Sequence, residues 1–245
     1  MTEGKTNLDL EKKRSMKTVV IHGQSHKGST YHIAHELAEK IGGEIAEFFL
    51  PRDFGEFCVG CTACFMRSEK LCPHYEALAP ITQKMDEADV IILASPVYVY
   101  HATGSMKAFL DHYGFQWMVH RPKESMFKKQ GVCIATAAGG GVSSTLKDMY
   151  HSLFFWGVGR IYRYGINVAA TDWSRVDKKR KAIIDKRISD LAKRIVSENG
   201  QVRPGIKTKG MFTVMRMLMK KGWNANDVQY WKEHGWTEKK RPWKT

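Results

Sequence analysis

The stretch VVIHGQSHKGSTYHIAHELAEKIGG (residues 19–43) has the pattern of a strand, a loop and a helix in direct succession. Residues 19–21 (VVI) form a short apolar run that is typical of a buried strand and ends at Gly23. Apolar residues then recur at helical spacing between residues 31 and 41, and Gly42 and Gly43 end the pattern. The stretch therefore predicts one strand, one helix and a polar connecting loop.

The same alternation of apolar runs and amphipathic segments continues to about residue 199. Further strands are predicted at residues 44–50, 90–93, 131–137 and 161–168. Further helices are predicted at residues 75–87, 104–114, 143–156 and 174–198. This alternation predicts an α/β fold with a doubly wound five-stranded parallel sheet in the order 2-1-3-4-5. In that fold ligands bind beyond the C-terminal ends of the strands, so the loops after strands one, three and four are the candidate site.

Length and composition are those of an ordinary globular protein. The chain has 245 residues, 43% of them hydrophobic and 26% charged, so neither disorder nor a disulfide framework is expected. No apolar run reaches the roughly 18 residues of a membrane span. The polar residues 1–16 lack the apolar core of a secretory signal. We therefore expect a cytoplasmic protein that does not contact membranes.

Charge and aromatic residues are concentrated near the C-terminus. The formal net charge is +14, which favours anionic partners such as nucleotides. Residues 200–245 contain eleven Lys and Arg against three Asp and Glu, together with four of the seven Trp. Two helical segments are expected there, a Met-rich one at residues 211–221 and a shorter one at 226–236. A nucleic-acid binder is one alternative interpretation, but no recognised nucleic-acid motif supports it, so no nucleic-acid partner is predicted.

These patterns divide the chain into three parts. They are a polar N-terminal arm (1–16), an α/β domain (17–199) with a Cys-rich insert (51–74), and a helical, aromatic-rich C-terminal extension (200–245). We expect the extension to fold over the main domain or over a neighbouring subunit.

The loop after strand one has the composition of a phosphate-binding loop. Each candidate residue supplies a hydroxyl group, a positive charge or a backbone without a side chain. These residues are Ser25, Lys27, Gly28, Ser29 and Thr30. A helix N-terminus offers unpaired N–H groups and a positive dipole end to an anion. The loop matches neither GxGxxG nor GxxxxGK[ST], which disfavours a dinucleotide Rossmann site and an NTPase P-loop. A plain helix cap is the alternative explanation of the hydroxyls.

The loops after strands three and four suit a flat ligand. The first begins Ser95-Pro96-Val97-Tyr98-Val99 and offers aromatic and apolar side chains. The second, Ala138-Gly139-Gly140-Gly141, lets the backbone lie against a planar ring with its N–H groups free. Surface aromatics and a flexible hinge are the respective alternatives. Three such loops at one end of one sheet predict a site for a phosphorylated planar molecule.

This combination resembles the flavodoxin-like NAD(P)H-dependent FMN oxidoreductases. The resemblance covers residues 17–198 and is carried by SHKGST (25–30), by SPVY (95–98) with GSMKAFLD (104–111), and by AGGG (138–141). It implies FMN with its phosphate on the first loop and its ring between the other two, and NAD(P)H as electron donor. The implied FMN contacts are Ser25, Lys27, Gly28, Ser29, Thr30, Pro96, Val97, Tyr98, Val99, Ala138, Gly139, Gly140 and Gly141.

Four of the five cysteines lie within fifteen residues, as Cys58-x2-Cys61-x2-Cys64-x7-Cys72. Disulfides are disfavoured in a cytoplasmic protein, whereas four thiolates at this density can bind zinc or an iron–sulfur cluster. The CxxCxxC triplet favours a [4Fe–4S] cluster, and the run resembles the iron–sulfur flavoprotein branch of the same family. Four reduced thiols without metal remain the alternative. The fifth, Cys133, lies inside strand four and is interpreted as a core residue.

The sequence therefore indicates an FMN-dependent oxidoreductase. It would accept hydride from NAD(P)H and reduce a quinone, a nitro or azo compound or another acceptor, with a possible [4Fe–4S] cluster as relay. No catalytic side chain is assigned, because the cofactor carries the chemistry, and His101, His112 and His120 are interpreted as structural. A flavodoxin-type electron carrier is the alternative. Because the family assembles and the aromatic extension needs cover, a homodimer or homotetramer is expected.

Overall fold

A computed structural model describes residues 15–244, and its centre is a five-stranded sheet. The strands are β1 (Lys17–His22), β2 (Glu44–Phe49), β3 (Val90–Pro96), β4 (Gln130–Ala137) and β5 (Arg160–Asn167). They are all parallel and lie in the order β2-β1-β3-β4-β5, which confirms the predicted fold class. All five C-terminal strand ends therefore lie at one edge of the sheet.

Burial follows the position of each strand in the sheet. Nearly every residue of β3 and all of β4 are buried, because helices cover both faces of the central strands. The edge strand β5 instead alternates buried or half-buried residues with exposed ones. The uninterrupted apolar runs that the sequence shows at β1 and β3 are thus the mark of central parallel strands.

Eight α-helices occur in the described part of the chain. They are α1 (Ser29–Ile41), α2 (Ala63–Met66), α3 (Tyr75–Glu87), α4 (Gly104–Asp111), α5 (Val142–Phe155), α6 (Lys178–Glu198), α7 (Ile206–Lys220) and α8 (Ala225–Glu233). The helices pack against the two faces of the sheet through two separate apolar cores. One packs α3, α4 and α5 against the sheet, and the other packs α1 and α6 against the opposite face. Neighbouring residues of β1 serve both, since Val19 belongs to the first core and Val20 to the second.

Some helix boundaries differ from the predicted ones. The predicted helix at 174–198 begins only at Lys178, because the Asp177 side chain accepts hydrogen bonds from the first-turn N–H groups of Lys179 and Arg180. The predicted helix at 31–41 begins two residues earlier, at Ser29. The short helix α2 within the Cys-rich insert was not predicted.

The C-terminal extension forms a third apolar cluster against the α/β unit of its own chain. Phe212, Met219, Trp231 and Trp236 are buried together with Met118 and Phe127 from the segment between α4 and β4. Trp223 stays largely exposed. Of the predicted N-terminal arm, residues 1–14 lie outside the described residues. None of the described helices is long and apolar enough to cross a membrane.

Candidate functional site

A cavity of about 210 Å³ opens at the C-terminal edge of the sheet. Its walls come from the segments that follow β1, β3, β4 and β5, which the parallel topology brings together. Of the predicted contact residues it is lined by Gly28, Ser29, Thr30, Pro96, Val97, Tyr98 and Ala138. Residues from all three predicted loops therefore line one cavity.

The loop after β1 presents the start of α1 to this cavity. Gly28 is the N-cap and supplies no side-chain cap to the first-turn N–H groups, and Gly28, Ser29 and Thr30 all line the cavity. The Thr30 hydroxyl is fixed by a 2.6 Å hydrogen bond to the hydroxyl of Thr136 on β4. A Cβ atom at Gly28 would stand 2.5 Å from His26 Nε2, so the ring of His26 packs on the loop only because residue 28 is glycine. Hydroxyls, N–H groups and a positive helix end are the donors that a phosphate requires.

Two predicted phosphate ligands of the same loop face elsewhere. Ser25 donates its hydroxyl to the carbonyl of Leu50 at the end of β2, at 3.1 Å. Lys27 is exposed, and its ammonium lies 4.9 Å from the centre of the Tyr31 ring. Neither side chain lines the cavity. A Lys side chain has enough rotatable bonds to reach an anion from this position.

Hydrogen bonds fasten the loop after β3 to the loop after β1. The Thr103 and Ser105 hydroxyls donate to the Gly23 carbonyl at 2.6 and 2.9 Å. The Thr103 N–H in turn donates to the Ser95 hydroxyl at 3.0 Å. Because Thr103 also caps α4 by accepting from the Met106 N–H, the two loops and the helix form one rigid unit.

The tip of the β3 loop is a tight turn between Tyr98 and His101. Their backbones exchange two hydrogen bonds, and the central residues Val99 and Tyr100 adopt positive φ angles of 46° and 65°. This turn directs Val99 into solvent, where the residue is 93% exposed. The Tyr98 hydroxyl accepts a 2.8 Å hydrogen bond from the Gln24 amide, so Tyr98 stays at the cavity.

The glycine loop after β4 packs on the β3 loop. Gly141 has a φ of +93°, and a Cβ atom there would stand 2.5 Å from Val97 Cγ1 and 2.8 Å from the Tyr100 Cα. The Tyr100 ring lies against Gly140. These contacts require a bare backbone. Gly139, Gly140 and Gly141 do not line the cavity, whereas Ala138 does.

Several cavity residues were not predicted from the sequence. His22, Gln24, Tyr31, Thr136, Ala170 and Thr171 all line it. Thr136 is the second-last residue of β4, and the sequence predicted it only as part of the strand at residues 131–137. Ala170 and Thr171 follow β5, and parallel topology alone implies that this loop lies at the same edge.

A carboxylate held between two imidazoles lies on the β2 side of the cavity. His22 Nε2 and His35 Nδ1 lie 2.7 and 3.1 Å from the two Glu47 carboxylate oxygens, and His22 also stacks on Phe49 at 4.5 Å. Burial would raise the pKa of the Glu47 carboxyl, but hydrogen bonds and charge from His22 and His35 outweigh it and lower that pKa. Glu47 therefore keeps its charge and holds the two imidazoles in place.

The four clustered cysteines occupy the irregular segment between β2 and α3. All four are free thiols, with Cys58 and Cys61 exposed and Cys64 and Cys72 half-buried. Burial raises the pKa of the Cys64 thiol, and the charges of Cys72, Cys58 and Cys61 raise it further. The four thiols therefore lie in one neighbourhood, and four cysteine sulfurs are the donor set that an iron–sulfur cluster takes.

Residues outside the cysteine segment hold its short helix α2. Arg121 donates to the carbonyls of Cys64 and Phe65 and forms a 2.6 Å ion pair with Asp227 of α8. The Asn226 amide donates to the carbonyl of Met66. The C-terminal extension is thus bonded directly to the segment that carries the thiols.

The remaining singled-out residues have structural partners. Cys133 is fully buried in β4, and burial raises the pKa of its thiol well above the usual range. His101 bonds Asp148 at 3.0 Å, His112 bonds the Ala108 carbonyl at 2.7 Å and His120 bonds Asp227 at 2.8 Å.

Comparison with known proteins gives concordant matches. The family described as NADPH-dependent FMN reductase matches residues 16–174. An iron–sulfur flavoprotein of Archaeoglobus fulgidus is 26% identical over 80% of this chain and 87% of its own length. One from Methanocaldococcus jannaschii is 30% identical over 56% of this chain and 70% of its own. The structure of an FMN-dependent NADH-azoreductase from Bacillus anthracis shares the fold, with a TM-score of 0.55 and 14% identity over 74% of this chain and 99% of that one.

Proposed function

The chain belongs to the family of NADPH-dependent FMN reductases, and on that premise we propose that the cavity at the sheet edge binds FMN for hydride transfer from NAD(P)H. The electrons then pass to a quinone, a nitro or azo compound, or another acceptor. The proposal rests on one observation: residues of the loops after β1, β3 and β4, which the sequence predicts for phosphate and ring binding, line the same cavity.

Each wall of the cavity has a role in this proposal. The N-terminus of α1, with the Ser29 and Thr30 hydroxyls, binds the phosphate, and Lys27 supplies positive charge from outside. Pro96, Val97 and Tyr98 line one side of the ring. Ala138 lines the cavity at the end of β4, and the glycines that follow it pack on Val97 and Tyr100 and so hold the ring-lining loop in place. FMN, when bound, supplies the two-electron chemistry, so these residues bind, orient and exclude water rather than react.

The four clustered cysteines are proposed as ligands of a [4Fe–4S] cluster. Cys58, Cys61, Cys64 and Cys72 form one electrostatic neighbourhood, and two relatives are iron–sulfur flavoproteins. A cluster in this segment would exchange electrons singly with the flavin and with a protein partner. The backbone of α2 already has its partners in Arg121 and Asn226, which leaves the thiols free to act as ligands.

Anaerobic spectroscopy tests the flavin proposal. Purified protein supplied with FMN is expected to bind it and to bleach on mixing with NADPH or NADH in stopped flow. Thr30→Val removes a cavity hydroxyl and is expected to weaken FMN binding, whereas Thr213→Val removes an exposed hydroxyl on α7 and is not. Protein that binds no FMN would contradict the proposal. A bound flavin that neither nicotinamide reduces would favour a flavodoxin-type carrier instead.

Iron and sulfide analysis tests the cluster proposal separately. After anaerobic reconstitution, the wild-type chain is expected to hold about four irons, as a cubane requires. Cys58→Ser is expected to lose most of that iron, and Cys133→Ala, which removes a thiol outside the set, is expected to keep it. Iron far below stoichiometry in the wild type would reject the cluster and leave the flavin proposal intact.

We also propose that copies of the chain associate. Phe57, Val59, Val99 and Ile206 are at least 65% exposed, an unusual position for large apolar side chains. A homodimer or homotetramer is expected by light scattering, and a monomer at all concentrations would contradict this.

A further inference from the structure

A second set of metal-binding side chains lies beside Cys72. Among the described residues, ligand atoms of Cys72, His74 and His112 all lie within 4.8 Å of one another. The three come from two elements, because Cys72 and His74 precede α3 whereas His112 directly follows α4. The proposed iron–sulfur cluster uses Cys72 but neither imidazole.

The imidazole of His112 is oriented as a metal ligand would be. The residue is only 5% exposed, and its Nδ1 lies 2.7 Å from the Ala108 carbonyl oxygen. A carbonyl can only accept, so Nδ1 carries the proton and Nε2 keeps its lone pair in the neutral ring. Metal-binding histidines are typically held in this way, with one ring nitrogen donating to a backbone carbonyl and the other facing the metal.

The imidazole of His74 completes the pair. Its Nδ1 lies 2.9 Å from His112 Nε2, and its Nε2 lies 4.0 Å from a Glu56 carboxylate oxygen. In a tetrahedral zinc site the two nitrogens would be about 3.3 Å apart and each about 3.6 Å from the sulfur, given the usual bond lengths. The observed nitrogen–nitrogen distance of 2.9 Å is about 0.4 Å shorter than in such a site, and the Cys72 sulfur lies within 4.8 Å of a ligand nitrogen of each ring. The Glu56 carboxylate lies on the side of the outer nitrogen, at a distance too long for a direct hydrogen bond.

A thiol is available for the fourth position. A small enclosed cavity of about 30 Å³ is lined by Cys64, Cys72 and His112 among others. Two thiolates and two imidazoles are a common ligand set of structural zinc. Cys64 thus lines the same cavity as two of the three grouped residues and is the candidate fourth ligand.

We propose that Cys72, His74 and His112 bind a single divalent transition-metal ion of the zinc type whenever Cys72 is not engaged by the cluster. Thiolate and imidazole select a borderline-soft ion over calcium or magnesium. The ion would join the cysteine segment to the C-terminal end of α4 and release the Cys72 thiol proton to solvent. Because Cys72 is common to both sets, the ion and the cluster exclude each other. The inference depends on the proposed function only at the shared thiols, which are Cys72 and the candidate fourth ligand Cys64.

Cobalt(II) is the probe that tests the site. The full-length chain, freed of iron and loaded with FMN, is titrated anaerobically with Co²⁺. We expect thiolate-to-cobalt charge-transfer and d–d absorption that saturates at one equivalent, with Zn²⁺ displacing Co²⁺ because it binds more tightly. His74→Ala and Cys72→Ser should each weaken Co²⁺ binding at least on the order of 100-fold, since even second-shell changes cost 10- to 100-fold.

A matched pair of variants separates the ion site from the cluster. Cys58→Ser is expected to lose reconstituted iron and to bind Co²⁺ as the wild type does. His74→Ala is expected to do the reverse, keeping iron and losing Co²⁺. Cobalt binding that survives His74→Ala, or that disappears in Cys58→Ser, would overturn the proposed ion site. If no variant binds iron, the cluster fails while the cobalt result still decides the ion site.

Folding is checked in each variant by FMN content and thermal unfolding. His112→Gln is a second test of the buried ligand and is also expected to lose Co²⁺. Should that variant fail to fold, His74→Ala still decides the question, because His74 occupies the N-cap position of α3, where its side chain makes no capping hydrogen bond.

Discussion

The flavin cavity and the cysteine segment are built in opposite ways. The cavity is formed where β1, β3 and β4 end, and its loops are fixed to the sheet and to each other through Gly23, Ser95 and Thr103. The cysteine segment contains, among its described helices, only α2 and a single 3-10 turn between β2 and α3, and Cys58 and Cys61 are exposed. One site is supported by the parallel ladder and the other is not.

The difference shows what the C-terminal extension contributes. Asp227 of α8 is completely buried and pairs with both His120 and Arg121, and Arg121 bonds the Cys64 carbonyl. The extension thus provides the cysteine segment with the external support that the flavin loops receive from the sheet. The match to the reductase family ends at residue 174, before these helices begin.

Removing the buried Asp227 carboxylate should give the largest difference between the cysteine segment and the flavin cavity. Asp227→Ala removes a fully buried carboxylate and leaves Arg121 with only its two carbonyl partners, so we expect the lower end of the about 3–5 kcal/mol of unfolding free energy that breaking a buried pair costs. We expect the Cys64 thiol to react faster with a thiol reagent while FMN affinity stays close to that of the wild type. Urea unfolding and timed alkylation measure both effects.

The control for this change is Glu233→Gln, which removes an exposed carboxylate from the same helix. It should alter stability by less than about 0.5 kcal/mol. Equal alkylation rates in Asp227→Ala and wild type would show that the extension does not support the segment.

A change at Gly141 should act on the flavin region instead. Gly141→Ala places a Cβ atom 2.5 Å from Val97 Cγ1 at a φ of +93°, for a cost of about 1–3 kcal/mol. FMN affinity should fall on the order of tenfold, since about 1.4 kcal/mol corresponds to a factor of ten. Fluorescence titration with FMN measures the change.

Gly210→Ala is the matched control for Gly141→Ala. Gly210 lies inside α7, is exposed and has no atom within 4 Å of an added Cβ, so alanine should stabilise by about 0.5–1 kcal/mol and leave FMN binding alone. Unchanged FMN affinity in Gly141→Ala would mean that the glycine loop does not shape the cavity.

The bond between the two flavin loops should have a smaller effect. Thr103→Val removes the hydroxyl that donates to the Gly23 carbonyl and caps α4, at a cost of about 1–2 kcal/mol. We expect a lower melting temperature and weaker FMN binding, with cysteine reactivity unchanged. Thr213→Val on α7 serves as the control, and equal FMN affinities in the two variants would argue against a rigid pair of loops.

The smallest effect concerns pH and lies on α1, beside the cavity. Burial lowers the pKa of His32, and charge from His35, Lys181 and Lys27 lowers it further against the opposing effect of Asp172. The unfolded chain therefore binds a proton near pH 6.5 more readily than the folded one. The contribution of neutral His32 to the free energy of unfolding is complete above pH 6.5 and is lost as the pH falls below that value. The free energy of unfolding should therefore decrease on acidification.

His32→Gln should flatten that part of the stability curve. Urea unfolding between pH 5 and pH 8 measures the slope. A slope identical to that of the wild type would show that other groups account for the acid sensitivity.

The sequence predicted the sheet and the place of the cavity because both follow from local patterns. Apolar runs mark the central strands, and parallel order then brings the loops after β1, β3 and β4 to one edge. The direction in which an individual side chain points could not be predicted from the sequence as well. Val99 was a predicted contact, yet the positive φ of the turn directs it to solvent, and Tyr100 packs on the glycine loop instead.

Contacts between distant parts of the chain gave no sequence signal at all. Arg121 and Asp227 are separated by 106 positions, and nothing in either neighbourhood indicates that they pair. The proximity of His74 and His112 likewise depends on how α4 packs beside α3. Such contacts are set by tertiary packing, which spacing and periodicity do not encode.

Hydrogen–deuterium exchange of the full chain with and without FMN tests the central claim most directly. We predict that FMN slows exchange in residues 23–31, 95–104 and 137–142 together, and that peptides covering residues 58–72 are unaffected. Protection confined to a single loop, or protection of the cysteine segment in place of the three loops, would contradict the account.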